Sequence, residues 1–508
     1  MRKFKTVLAF LCGVALLLQA VLLTSADTTY TLTLNNTGET PHTFEIYQIF
    51  TGDLSVNESG QKVLSNIVWG SGVTPAGQTA LGNAAEKAET LISESDAKAF
   101  ADTLAASGYL TGAATQTVNP GATQAVTGLT PGYYLIKDQD NSQNTQSGAY
   151  TAYLLQVVGD VTASAKLDVP SVEKKVQDIN DSQDDNLTDN PWQDSADHDV
   201  GDTVPFMITG TLPSNYSEYD TYYFQFTDEM SNGLTYQNNA KVFVENSGAE
   251  TEITDQAVME TTTTAEGTTL TITYPDLKSL TGVTIDQNSK IIVRYTALLN
   301  ENAIMGGTGN QNTVFLTYSN NPNPGGTGTG TTPKDKVAVF TYQVQVDKVD
   351  ENNAPLENAG FTLYKKDGGN AWQVVKTFAG GSDTSFVFTG LDDGDYKLVE
   401  STVPEGYNKM EDLEFTITAT HDTSSPDPAL TELNGADTDG AVVTLSGTQQ
   451  ASVSLSTGTI ASTIVNKAGS VLPITGGIGT TIFYLIGGLL VVGAIIFFIT
   501  RKRMKSDE

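Results

Sequence analysis

The chain has 508 residues and a formal net charge of -32, from 59 acidic against 27 basic side chains, which excludes nucleic acid and anionic membrane surfaces as electrostatic partners. A single cysteine, Cys12, excludes a disulfide framework. The length suits about three domains of ordinary size.

The N-terminus reads as an export signal. Arg2, Lys3 and Lys5 precede an apolar stretch over 7–23, and Thr24-Ser25-Ala26 offers small residues for cleavage after Ala26. Residues 1–26 are therefore set aside. Cys12 goes with them, and the mature chain begins near Asp27.

A first domain is expected over 27–167. Strict alternation marks a strand at 30–34, and a less regular one follows at 44–50. Between 80 and 106 the period becomes helical: Leu81, Ala84, Ala85, Ala88, Leu91 and Ile92, then Phe100, Ala101 and Leu104. Strands resume at 132–136 and 149–158. A second domain is expected over 168–322, with strands at 204–210, 222–227, 241–245, 268–274, 290–298 and 313–319 and a turn at Asn232-Gly233. An acidic, Asn-rich loop over 178–199 is expected to be solvated. The run of Asn, Pro, Gly and Thr after Asn321 predicts a linker over 323–335. A third domain follows over 336–470, with strands around Val344 and Val346, Phe361 and Leu363, then 386–389, 396–400 and 462–466. The fold class is thus mainly β: tandem immunoglobulin-like β-sandwich domains, the first with inserted helices.

Side-chain parity places unusual residues inside the third domain. Lys348 shares a strand face with Val344 and Val346, Glu400 with Tyr396 and Leu398, and Asn466 with Ile464. A buried amine is costly unless it loses its charge or finds a partner. Burial lowers the pKa of an amine and raises that of a carboxyl, which makes the amine a nucleophile and the acid a proton shuttle. Val346-Asp347-Lys348-Val349-Asp350, Pro355-Leu356, Ala359-x-Phe361-x-Leu363-Tyr364, Tyr396-x-Leu398-x-Glu400, Pro404-x-Gly406-Tyr407 and Ile464-Val465-Asn466-Lys467 together resemble the B-type repeat domain of bacterial collagen adhesins. The resemblance implies an isopeptide bond between Lys348 and Asn466, with Glu400 as its acid catalyst and ammonia as the leaving group.

The second domain repeats the pattern. Val172-x-Lys174 turns Lys174 inward and Lys175 outward; Asp228 shares a face with Phe224 and Phe226, and Asn320 with Val314, Leu316 and Tyr318. The run 226–236 and Tyr318-Ser319-Asn320-Asn321-Pro322-Asn323 resemble the middle domain of Gram-positive backbone pilins. That resemblance implies a second bond between Lys174 and Asn320, with Asp228 as catalyst. The first domain has no lysine on its opening strand. Asp138 lies near the usual acid position with no amine to act on, so no bond is expected there.

Residues 471–508 form a three-part address. Leu472-Pro473-Ile474-Thr475-Gly476 precedes an uncharged apolar run over 478–500, long enough to span a bilayer, and a basic tail from Arg501. The combination resembles the cell-wall sorting signal of Gram-positive surface proteins. In that family a sortase cleaves after the threonine, here Thr475, and passes it to an amine. At the first junction, Ala165-Lys166 stands where backbone pilins carry a Pro-Lys acceptor, which makes Lys166 the expected inter-subunit lysine and Lys175 its alternative.

The resemblances imply a shaft subunit of a covalent pilus, localised to the cell wall and supporting adhesion. Its partners would be a sortase, identical subunits, peptidoglycan, and tip and base pilins. The alternative is a wall-anchored monomeric adhesin that binds a host matrix ligand. A hydrolase finds no support: His42, His198 and His421 are scattered and no Gly-x-Ser-x-Gly elbow is present. No metal-ligand spacing is present and no cofactor is expected, although the Asp- and Asn-rich loops leave a structural Ca²⁺ open.

Overall fold

The structure is a computed structural model that describes residues 28–38, 40–143, 148–165, 169–180, 190–322, 326–437, 452–469 and 478–504. The signal segment, Lys166 and the motif Leu472 to Gly476 lie outside the described residues.

In the first body, the long strand His42–Val56 is the centre of a sheet, flanked by Lys62–Trp69 and Gly132–Asp138, with Ala152–Val157 beyond. The ladder shifts register between Gln48 and Phe50, so Ile49 and Phe50 are both buried. This bulge explains why strict alternation fails at 44–50. Phe44, Ile46 and Ile136 pack on Leu32 and Leu34 of a second, three-stranded sheet. From the opposite face Tyr47, Ile49 and Phe50 pack under Phe100, Ala101 and Leu104 of the helix Glu94–Ala106. Ser93 starts that helix with a capping box to Asp96. The shorter helices Pro75–Leu81 and Ala84–Glu89 are capped by the side chains of Thr74 and Asn83.

The middle body is a sandwich of two sheets. One contains Val172–Gln177, Thr203–Gly210, Lys290–Leu299 and Lys241–Asn246; the other contains Asp335–Phe340, Asn310–Ser319, Phe224–Ser231 and Gly267–Tyr274. Phe206, Ile208, Phe224, Phe226, Val293 and Leu316 fill the space between them.

The linker expected over 323–335 needs correction. Thr329–Thr331 pairs with the end of Asn310–Ser319, and Asp335–Phe340 pairs with its beginning. The latter strand serves two cores at once: Val337 and Val339 enter the middle core, while Ala338 and Phe340 enter the third. Gly and Thr in this stretch suggested loose chain, but backbone ladder bonds need no apolar side chain.

The third body packs a four-stranded sheet against a five-stranded one. Its first long strand, Tyr342–Asp350, lies parallel to its last, Thr459–Asn466, with Lys348 opposite Ile464. Phe361, Phe386, Phe388, Tyr396 and Leu398 lie between the sheets. Beyond it, the helix Ile478–Met504 includes a stretch, Ile482–Lys502, long and apolar enough to cross a membrane.

Candidate functional site

Lys348, Glu400 and Asn466 come together in the third body, each at most 1% exposed. Lys348 and Asn466 project from the adjacent parallel strands, and Glu400 reaches them from Gly394–Thr402 in the facing sheet. Asn466 Nδ2 donates to Glu400 Oε1 at 2.7 Å, and the Met410 backbone N–H donates to Oε2 at 2.9 Å. Lys348 Nζ donates to the carbonyls of Val349 and Ile464 at 3.2 and 3.3 Å. Burial pulls the Lys348 amine down to about 8, against the opposing attraction of Glu400 and Asp350. Asn466 Oδ1 is buried and accepts no hydrogen bond. The carboxamide is thus held through its nitrogen by Glu400.

In the middle body Lys174 is fully buried, as its parity requires, with its ammonium 5.4 Å from the ring of Phe206 and 5.1 Å from that of Tyr295. Its Nζ donates to Asp228 Oδ1 at 2.5 Å and to the Tyr295 hydroxyl at 2.8 Å. Tyr295 in turn donates to Asp228 Oδ2. Burial lowers the Lys174 pKa against the pull of Asp228. Burial and then Asp228 raise that of Tyr295, which keeps the phenol protonated.

The amide at this cluster is not Asn320. Asn312 Nδ2 donates to the Tyr295 hydroxyl at 2.7 Å, and its buried Oδ1 has no hydrogen-bond partner. Asp228 pairs with Val314 and Met230 with Asn312, so Asp228 and Asn312 are diagonal neighbours on one inward face. Asn320 lies eight positions along the same strand, about 27 Å away at the rise of an antiparallel strand. There its Nδ2 donates to the Gln143 and Gly148 carbonyls at 2.7 and 3.1 Å, and its own carbonyl accepts from the Tyr150 N–H at 2.8 Å. Asn320 is a fastener between the first and middle bodies. Asn312 and Asn320 have the same parity, so alternation could not choose between them. Only the register against Asp228 does. Tyr295, which bridges all three groups, was missed because an inward tyrosine on a strand reads as ordinary core.

Among the described residues of the first body no lysine pairs with the carboxyl of the buried Asp138; the neighbouring Lys137 is paired with Glu45 and Asp140. Asp138 is paired with His42 Nδ1 at 2.9 Å and accepts from the Thr151 N–H at 2.7 Å. Lys175 is half-buried beside a cleft of about 850 Å³ that His42, Glu173, Asp194 and Lys334 also line. Its Nζ lies 2.5 Å from Asp194 and 3.1 Å from Glu173. Burial would lower its pKa, but the hydrogen bonds to these two acids outweigh it and the net shift is upward.

Residues 200–322 match the family described as Gram-positive pilin backbone subunit 2, Cna-B-like domain. Residues 342–427 match a prealbumin-like fold domain, and 464–506 match the LPXTG cell wall anchor motif. The middle body thus matches a pilin-backbone domain, and the C-terminal segment a wall-anchor motif. The chain is 28% identical over 406 residues to the trypsin-resistant surface T6 protein of Streptococcus pyogenes serotype M6, covering 67% of this chain and 70% of that one. The solved three-domain structure of the T6 backbone pilin superposes with a TM-score of 0.54 at 19% identity, covering 88% of this chain and all of the other. That likeness establishes the shared fold. The family matched by 200–322 is a structural one, and the anchor motif indicates attachment at the cell wall surface of a Gram-positive bacterium.

Proposed function

We propose that this chain is the shaft subunit of a sortase-assembled covalent pilus, with its middle and third bodies each locked by an internal Lys–Asn amide. The observation that carries the proposal is the repeated constellation of buried lysine, acid and asparagine in two successive bodies upstream of a wall-anchor motif. In each, the neutral amine attacks the carboxamide carbon, the acid protonates the leaving nitrogen, and one ammonia departs. The third body uses Lys348, Glu400 and Asn466. The middle body uses Lys174, Asp228 and Asn312, with the Tyr295 hydroxyl supporting the carboxylate.

At the sorting motif, a sortase thiolate would break the Thr475–Gly476 bond and transfer Thr475 to the lysine of the next subunit. Lys166 is the proposed acceptor. Lys175 is the less suitable amine because two carboxylates hold it protonated and occupied. The last subunit would pass to peptidoglycan.

The test is a denaturing gel of wall extracts combined with intact mass of the processed monomer. A ladder of covalent multimers and a mass about 34 Da below the unmodified chain are expected for two amides. Monomer alone would favour the wall-anchored adhesin. The T6 relative is named for resistance to trypsin, and the same resistance is expected here where crosslinks suppress local opening.

A further inference from the structure

The joint between the middle and third bodies buries more carboxyl groups than either crosslink uses. Asp197 ends the short strand Ser195–Asp197, and Asp392 and Asp393 form the turn between Ser385–Leu391 and Gly394–Thr402. One carboxylate oxygen from each of these three residues lies within 4.8 Å of the other two. Asp392 is 0% exposed. Its Oδ1 accepts from the Asp393 N–H at 2.8 Å, but its Oδ2 accepts no hydrogen bond. The nearest cation to Oδ2 is Lys365 Nζ at 3.6 Å, and that ammonium is drawn instead to Asp199 at 2.5 Å.

Asp178 adds another carboxyl on the other side of Asp197, with His421 3.5 Å from both. Two acids hold the histidine protonated: burial would lower its pKa, yet Asp178 and Asp197 carry it up to about 10. His421 is therefore a counter-charge here and not a metal ligand. Asp178, Asp197, Asp199, Asp392 and Asp393 thus face one lysine and two histidines, His421 and the buried His198, while Tyr342 donates to Asp197 Oδ2 and Asn180 to Asp393 Oδ1. Uncompensated buried charge of this kind is costly. Burial, followed by repulsion from Asp197, pushes Asp392 well above the usual carboxylate range and Asp393 up to about 7.

We propose that Asp197, Asp392 and Asp393 form a binding site for one hard divalent cation, Ca²⁺ in preference to Mg²⁺, that clamps the middle body to the third. The donors are carboxylate oxygens in an irregular arrangement. Ca²⁺ accepts such geometry with six to eight oxygens and completes its shell with water, whereas Mg²⁺ demands a near-ideal octahedron. The fully buried Asp392 Oδ2 accepts no hydrogen bond and has Lys365 Nζ at 3.6 Å, which leaves it under-satisfied in a way a cation would relieve. The cation would tie a turn of the third body to a strand of the middle one, beside the shared strand Asp335–Phe340. It would thereby stiffen the joint along the direction in which a shaft is pulled.

The experiment uses the processed chain, stripped with EDTA and titrated with CaCl₂ or MgCl₂ in a calorimeter, with thermal unfolding of the same samples. One Ca²⁺ per chain is expected, with Tm raised by about 5 °C or more at a Ca²⁺ excess of 100-fold over Kd. Asp392→Asn should lose both signals while keeping the full mass deficit, because the amide oxygen can still accept from the Asp393 N–H and neither crosslink is touched. Asp393→Asn, at a less buried position, provides a second variant, and the exposed Glu260→Gln should behave like the parent. Absence of heat and of a Tm shift with either metal would overturn the proposal. So would a response that survives in both Asp392→Asn and Asp393→Asn. An equal response to Mg²⁺ would overturn the assignment to Ca²⁺.

Discussion

Replacing Asn312 by alanine separates the two possible partners of Lys174. An amide from Lys174 to Asn312 would join the strand Val172–Gln177 in one sheet to Asn310–Ser319 in the other. It would close a loop on the order of 140 residues, for which the chain-entropy relation for cross-links gives about 5 kcal/mol. Asn312→Ala removes the bond yet leaves Lys174 paired with Asp228 and Tyr295, so little further loss is expected from unpaired charge. At about 2–4 °C per kcal/mol for a domain of this size, the middle body should melt about 10–20 °C earlier. Intact mass should rise by about 17 Da, one retained ammonia. Asn320→Ala should leave the mass untouched and cost only the fastening to the Gln143 and Gly148 carbonyls, about 1–3 kcal/mol for the groups it leaves unpaired. Electrospray mass and calorimetry on the two variants settle the matter. A full mass deficit in Asn312→Ala, with a loss in Asn320→Ala, would refute the register-based assignment.

Glu400→Ala should restore about 17 Da and make the third body melt early and yield to protease, since the Lys348–Asn466 loop on the order of 100 residues is worth roughly 4–5 kcal/mol; an unchanged melt would reduce Lys348 to an ion-pair lysine. Asn466→Ala leaves Lys348 as a free buried amine whose pKa is lowered from 10.5 to about 8 in the folded state. The unfolded state then binds more protons between those values, so the stability of this variant should rise with pH from about 8 to 10.5, while the cross-linked parent shows no such rise. His42→Ala should destabilise the first body by removing one of the two hydrogen-bond partners of the buried Asp138, about 1–3 kcal/mol, without any change in mass deficit; a change would mean that this body carries a bond of its own. Lys166→Ala should abolish multimers while leaving anchored monomer, and Lys175→Ala should preserve the ladder.

Much of the fold could be read from period and punctuation. Period-two alternation pointed Lys174 inward, and the structure buries it while leaving Lys175 half-exposed beside Asp194. The same alternation put Lys348, Glu400 and Asn466 on inward faces, and the fold converges those faces on one point. The helical period over 80–106 corresponds to three helices among the described residues, broken at Gly82 and Ser93 by the cap chemistry of Asn83 and the Ser93 box. What stayed hidden depends on registration between distant strands. Alternation says which face a residue takes and not how far along the neighbouring strand it sits, which is why Asn320 stood in for Asn312. Composition misled in the linker expected over 323–335, where glycine and threonine conceal the paired strand Thr329–Thr331 and the start of Asp335–Phe340, the wedge between two cores. The loop over 178–199 read as solvated from its acids and asparagines, yet Ser195, Ala196, Asp197 and His198 are buried because two bodies dock there, and Asp197 meets Asp392 across 195 positions.

The shaft assignment is tested most directly by tandem mass spectrometry of trypsin-digested polymer released from the wall. A branched peptide is predicted, in which the Thr475 carbonyl is joined to the side-chain amine of Lys166 from a second copy. Recovery of Thr475 joined solely to peptidoglycan, with every Lys166 amine free, would contradict the assignment and leave an anchored monomer.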